Sequence, residues 1–216
     1  MDHLVTAPAD ARALLVLAHG AGAGMRHAFL ERAARAFAQR GIATYRYEFP
    51  YMEAKKSRPD SPAVAEAAVR EAVAAAEREG LELPLIAGGK SFGGRMTSQA
   101  QSKEPLPGVR GLVFLGFPLH PPGRPGINRA EHLSAVGVPM LFLQGTRDEF
   151  AQLDLLRGVV QQLGDRATLH LIEEGDHSFK VPKRTGKSED EVMQELATTI
   201  QDWAARVANP AAIPRG

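Results

Sequence analysis

Residues 83–94 read LPLIAGGKSFGG: a short apolar run, then Gly89-Lys90-Ser91-Phe92-Gly93, then a stretch of helical character to about Lys103. G-x-S-x-G between a strand and a helix specifies a sharp, strained turn at the serine. Side chains two residues before and after Ser91 would collide with the strand or the helix, so both positions hold glycine. The turn projects the Ser91 hydroxyl above the sheet, and the helix N-terminus just beyond it favours developing negative charge. Gly89-Lys90-Ser91 also suggests a phosphate loop. That motif needs another glycine five residues before Gly89, and the position holds Pro84.

Outward from this turn, apolar runs alternate with helix-period stretches. Strands are expected at 13–20, 42–49, 83–89, 111–117, 139–145 and 167–174. Helices are expected at 26–40, 61–80, 92–103, 130–136, 150–164 and from Ser188 to Asn209–Pro210. The first places Phe29, Ala33 and Phe37 on one face and stops at Gly41. The second opens on Ser61 as N-cap with Pro62 at the first helical position, and the last opens on a Ser188/Glu191 capping box. About six strands, each followed by a helix, imply parallel strands with right-handed crossovers. The fold class is therefore α/β, a three-layer α/β/α sandwich around a mostly parallel sheet of about six to seven strands. At most one further short strand fits before residue 13, around Leu4–Thr6. The chain is expected to be one domain over 1–216, with 1–12 and 209–216 as extended tails.

In such a sheet, ligands bind beyond the C-terminal ends of the strands. A serine needs a base to become a nucleophile, and the base needs an orienting acid. The segment after strand 139–145 offers Asp148, and the segment after strand 167–174 offers His177. Glu149 and Asp154 compete for the acid role, but the residue three past Gly145 is better placed. Asp176 is expected to stabilise its own turn. The small-residue loop His19–Gly24 allows a backbone N–H, from Ala21 or Gly22, to pair with that of Phe92 as an oxyanion hole. His19 is expected to fix this loop rather than act as a base. Gly22, Tyr51 and His120 are expected to bind substrate, with Met52, Phe117, Leu119 and Phe150 shaping the pocket.

The segments HGAGAG (19–24), GGKSFGG (88–94), GFPLHPPG (116–123), QGTRDEF (144–150) and GDHSF (175–179) resemble serine α/β-hydrolases, similar to the dienelactone-hydrolase-like group. More narrowly, they resemble its small lid-less branch, which includes testis-expressed and chromatin-associated KANSL-like proteins. Over about residues 13–205, the resemblance implies Ser91 as nucleophile, Asp148 as acid, His177 as base, and Ala21 with Phe92 as oxyanion donors. Dienelactone hydrolases proper carry cysteine where this chain has Ser91. The function expected is cleavage of an ester or related acyl bond in a small molecule through an acyl-enzyme, without cofactor or metal. The alternative is a non-catalytic interaction module on a hydrolase scaffold, as in some KANSL-like relatives.

Composition bounds these readings. The 216 residues include no cysteine, which excludes a disulfide framework, a Cys-ligated metal and a cysteine nucleophile. Lys plus Arg number 26 against 25 Asp plus Glu, so no basic surplus points to nucleic acid. No apolar run is long enough for a bilayer, so no membrane partner is expected. The N-terminus MDHLVTAPAD lacks a signal-peptide pattern, so a cytoplasmic location is expected. His3, His27, His132 and His170 have no metal-like spacing. Residues 118–129 are too few for a helical lid, so an open cleft is expected.

Overall fold

The computed structural model describes residues 1–208. Seven strands form one sheet: β1 (His3–Thr6), β2 (Ala13–Ala18), β3 (Ile42–Tyr47), β4 (Leu85–Lys90), β5 (Val109–Leu115), β6 (Met140–Gly145) and β7 (Ala167–Ile172), in the order β1-β3-β2-β4-β5-β6-β7. β1 pairs antiparallel with β3, and every other pairing is parallel. The α/β sandwich read from the sequence is the fold observed. The short strand expected near Leu4–Thr6 is present and one residue longer.

Continuous apolar strands are what a parallel sheet covered on both faces requires, and β2 shows how the sides divide. Leu14, Val16 and Ala18 point into a core shared with α3 (Pro62–Arg78), α4 (Phe92–Lys103) and α5 (Leu153–Leu163). Ala13, Leu15 and Leu17 face the opposite core, closed by α1 (Ala28–Ala38) and α6 (Glu189–Ala208). Phe37 of α1 and Trp203 of α6 anchor that second layer. Burying side chains of this size contributes about 1.5–3 kcal/mol each.

Several local expectations are corrected. The helix expected at 130–136 is a tighter 3-10 segment, Asn128–Ala135. The helix expected from Phe150 begins at Leu153, because the Asp148 carboxylate accepts the Phe150 N–H and the Ala151 N–H bonds to the Asp148 carbonyl. These bonds hold 148–151 as a turn. The strand expected at 42–49 ends at Tyr47, and Pro50 opens a one-turn helix, α2 (Pro50–Glu53). The helix expected from Arg26 starts at Ala28, where the His27 side chain caps the Phe29 N–H. Ser61 sits at the N-cap of α3 without a side-chain capping bond. The Ser188/Glu191 box is formed reciprocally. The expected stop at Asn209–Pro210 and the tail 209–216 lie outside the described residues.

No helix among the described residues is long and apolar enough to cross a membrane. Residues 116–127, between β5 and the 3-10 segment, contain no helix, so no lid is built there.

Candidate active site

The turn between β4 and α4 has the geometry its sequence demands. Ser91 adopts φ 50°, ψ −114°, a left-handed conformation that a non-glycine residue takes only where the surroundings enforce it. A Cβ on Gly89 would lie 2.5 Å from the Ala18 carbonyl oxygen, and one on Gly93 would lie 2.5 Å from that of His19. Both glycines are therefore fixed by close backbone approach.

Ser91 Oγ lies 2.9 Å from His177 Nε2, and His177 Nδ1 lies 2.7 Å from Asp148 Oδ2. Three residues separated by up to 86 positions thus form one chain of contacts at the C-terminal ends of β4, β6 and β7. Asp148 is buried, whereas Glu149 and Asp154 are exposed, so neither rival approaches His177 in this way. The loops that carry Asp148 and His177 are stitched together. The Thr146 N–H donates to the Ile172 carbonyl, and the Arg147 N–H to that of Gly175. The backbones touch so closely that a Cβ on Gly145 would fall 2.2 Å from the Gly175 carbonyl oxygen. Asp176 Oδ1 accepts the N–H groups of Ser178 and Lys180, the turn-stabilising role expected of it. The Phe150 ring lies 4.3 Å from the His177 ring, centroid to centroid, and limits its rotation.

Gln144 was not a sequence candidate. Its Nε2 donates to Asp148 Oδ2 at 2.5 Å, and its Oε1 accepts the Phe117 N–H at 2.9 Å. A buried glutamine four residues before an acid has no periodic signature; only its polarity inside an apolar strand sets it apart.

The loop after β2 is held from behind. His19 is fully buried, with Nδ1 2.8 Å from the Gly20 carbonyl oxygen and Nε2 3.1 Å from both the Phe49 nitrogen and Glu48 Oε1. Burial pushes its pKa below the ordinary value against the opposing pull of the Gly20 carbonyl. Tyr51 is buried too, and its hydroxyl accepts the Gly22 N–H at 2.7 Å. Gly22 is thereby engaged. The Ala21 N–H meets no acceptor among the described residues.

A cleft of about 290 Å³ opens beside Ser91 and His177, with walls that include Ala21, His27, Phe29, Leu30, Lys90 and Phe150. Of the three expected substrate contacts, Gly22, Tyr51 and His120, none is among the residues that line this cleft; Tyr51 and His120 are buried and Gly22 is exposed. His120 is buried. Its Nδ1 lies 2.9 Å from the Pro121 carbonyl oxygen, and its Nε2 accepts the Gln152 N–H at 2.8 Å. No three metal-ligating side chains gather in one place among the described residues.

Against known proteins, a family model described as an alpha/beta hydrolase domain matches residues 11–205. An alpha-beta serine hydrolase homologue from Coxiella burnetii superimposes with a TM-score of 0.72 at 17% identity, over 93% of this chain and 89% of that one. A dienelactone hydrolase from Anabaena variabilis gives 0.70 at 19% identity, over 94% and 90%. A serine hydrolase without lid from Xanthomonas campestris gives 0.69 at 19% identity, over 100% and 90%. At these identities the structural likenesses show the fold.

Proposed function

The chain belongs to the alpha/beta hydrolase family, and on that premise we propose that it cleaves an ester or related acyl bond with Ser91 as nucleophile, His177 as base and Asp148 as orienting acid. The observation that carries this reading is the unbroken contact from Ser91 Oγ through His177 to Asp148, at 2.9 and 2.7 Å, on a strained turn that exposes the serine to a cleft.

His177 Nε2 takes the Ser91 proton as Oγ attacks the carbonyl carbon, and the carbonyl oxygen becomes an oxyanion. The N–H groups of Ala21 and Phe92 receive that charge. One such donor lowers a barrier of this kind by about 2.7–4 kcal/mol. Asp148 accepts from His177 Nδ1, which fixes the tautomer and stabilises the imidazolium. The proton then passes to the departing alkoxide, leaving an acyl ester on Ser91. A water deprotonated by His177 attacks that ester, the acid leaves, and Ser91 regains its proton.

A fluorophosphonate probe followed by intact mass measurement tests this. Wild type is expected to gain one adduct and Ser91→Ala none. Failure of wild type to label, or undiminished labelling of Ser91→Ala, would overturn the reading. Hydrolysis of short p-nitrophenyl esters separates it from a non-catalytic interaction module of the KANSL-like kind, for which no Ser91-dependent rate is expected.

A further inference from the structure

Lys90 immediately precedes Ser91, and the acyl-transfer chemistry gives it no task. Lys90 is among the residues that border the cleft, and its ammonium is buried and meets no hydrogen-bond acceptor among the described residues. Nζ stands 5.9 Å from the centroid of Phe29 and 5.8 Å from that of Phe179. It is also close to the base: a Cβ built on Gly116 would lie 3.2 Å from Nζ and 3.4 Å from His177 Nδ1.

The nearest carboxylates are committed elsewhere. Asp148 accepts from Gln144, His177 and the Phe150 N–H, and Asp176 Oδ1 accepts two backbone N–H groups of its own turn. Aromatic faces compensate a cation only in part, by about 0.5–2 kcal/mol. Burial lowers the Lys90 pKa to about 8 despite the pull of Asp148 and Asp176, so at neutral pH the group remains largely an ammonium without a counter-ion. An apolar side chain of similar length would fill this slot at lower cost.

A second cavity of about 370 Å³ lies next to the cleft and shares His27, Phe29 and Ser178 with it as walls. We propose that Lys90 determines specificity, its unpaired ammonium serving as counter-ion to a carboxylate on the ester that the cleft takes. The substrate class is then a monoester of a short dicarboxylic acid. This rests on the hydrolase reading above and adds to it the charge of the substrate. A single ammonium matches a monoanion. For that contact, rotation about the lysine stem has to carry Nζ from between the rings towards the cleft, where a charge-assisted hydrogen bond would replace the ring faces.

The test pairs turnover with binding. The mono-p-nitrophenyl ester of glutaric acid is compared with p-nitrophenyl valerate, which has the same chain length without the charge. Wild type is expected to favour the anionic ester in kcat/KM by about tenfold or more, as loss of a bond to a charged group implies. Lys90→Met should abolish that preference, and Lys90→Arg should retain part of it. Calorimetry with 5-oxohexanoate, a monoanion whose ketone replaces the ester and cannot be hydrolysed, is expected to show binding to wild type and to Ser91→Ala, and loss of binding in Lys90→Met. Equal use of the two esters by wild type, or 5-oxohexanoate binding that ignores Lys90, overturns the proposal and leaves the hydrolase reading standing. Lys90-dependent 5-oxohexanoate binding with neither ester turned over sinks the hydrolase reading and keeps the anion site.

Discussion

Gln144 Nε2 donates to the same Asp148 oxygen, Oδ2, that faces His177 Nδ1, so one carboxylate oxygen is held between an amide from its own strand and the imidazole. The other end of the amide accepts the Phe117 N–H, which ties the acid to the start of the loop after β5. Gln144→Leu removes both bonds while nearly preserving volume. It is expected to lower kcat/KM for a short p-nitrophenyl ester about 10–100-fold, as loss of an orienting outer contact does elsewhere. It should also cost about 1–3 kcal/mol in urea denaturation, because a buried N–H loses its acceptor. Asp148→Asn should fall further, by about 10⁴-fold, since it unsettles the tautomer itself. Activity of Gln144→Leu within twofold of wild type would show that Asp148 needs no such support.

Tyr51 holds the loop after β2. Its hydroxyl fixes the Gly22 N–H, one residue beyond Ala21. Tyr51→Phe is expected to lower kcat about tenfold with little change in KM, because a donor that serves only the transition state loses its positioning. A rise in KM at unchanged kcat would instead place Tyr51 in contact with substrate.

Lys90 is expected to weaken the fold that holds it. Its folded pKa, about 8, lies below the ordinary value of 10.5, so between these limits the unfolded chain binds the proton and the folded chain does not. Stability therefore rises with pH through that window, and below it the full cost of the buried ammonium is present. Lys90→Met removes the cost, by about 1–3 kcal/mol, and should raise Tm at pH 7 by about 3–8 °C. The rise in wild-type stability between pH 8 and 10.5 should shrink in the variant. A lower Tm in Lys90→Met would mean that the ammonium has a stabilising partner.

His132 gives an acid-side counterpart. Burial lowers its pKa to about 4, with Arg95 and Lys103 adding to the effect, and its Nε2 lies 2.8 Å from Ser98 Oγ. The unfolded chain protonates near 6.5 and the folded chain only near 4. The stability contributed by the neutral ring is therefore complete above 6.5 and lost as pH falls through this interval. Denaturation midpoints should drop between pH 6.5 and 4, and His132→Gln should flatten that slope. An unchanged slope in the variant would assign the acid sensitivity to other groups.

The order of elements was legible because parallel strands buried on both faces carry unbroken apolar runs, and because Gly20, Gly41, Gly89 and Gly145 punctuate them. The meeting of Ser91, Asp148 and His177 followed from the same logic, since each lies just past a strand end in a sheet whose strands share a direction. The cleft walls were not legible. Phe29 has the i, i+4, i+8 spacing of a core residue, yet it sits in the first turn of α1, where the helix end meets the site. Tyr51 and His120 follow strands but turn inward, because the one-turn helix at Pro50 directs the tyrosine at the Gly22 backbone and the Gln152 N–H gives the histidine a hydrogen-bond partner. Side-chain direction at loop positions depends on such individual bonds, which no periodicity reports.

None of residues 116–127 lines the cleft beside Ser91. Where a flap must first be drawn aside by an oil–water boundary, the rate jumps once substrate separates into droplets. Here nothing built into that segment has to be displaced. Velocity should climb smoothly with dissolved ester and show no upward jump at the solubility limit.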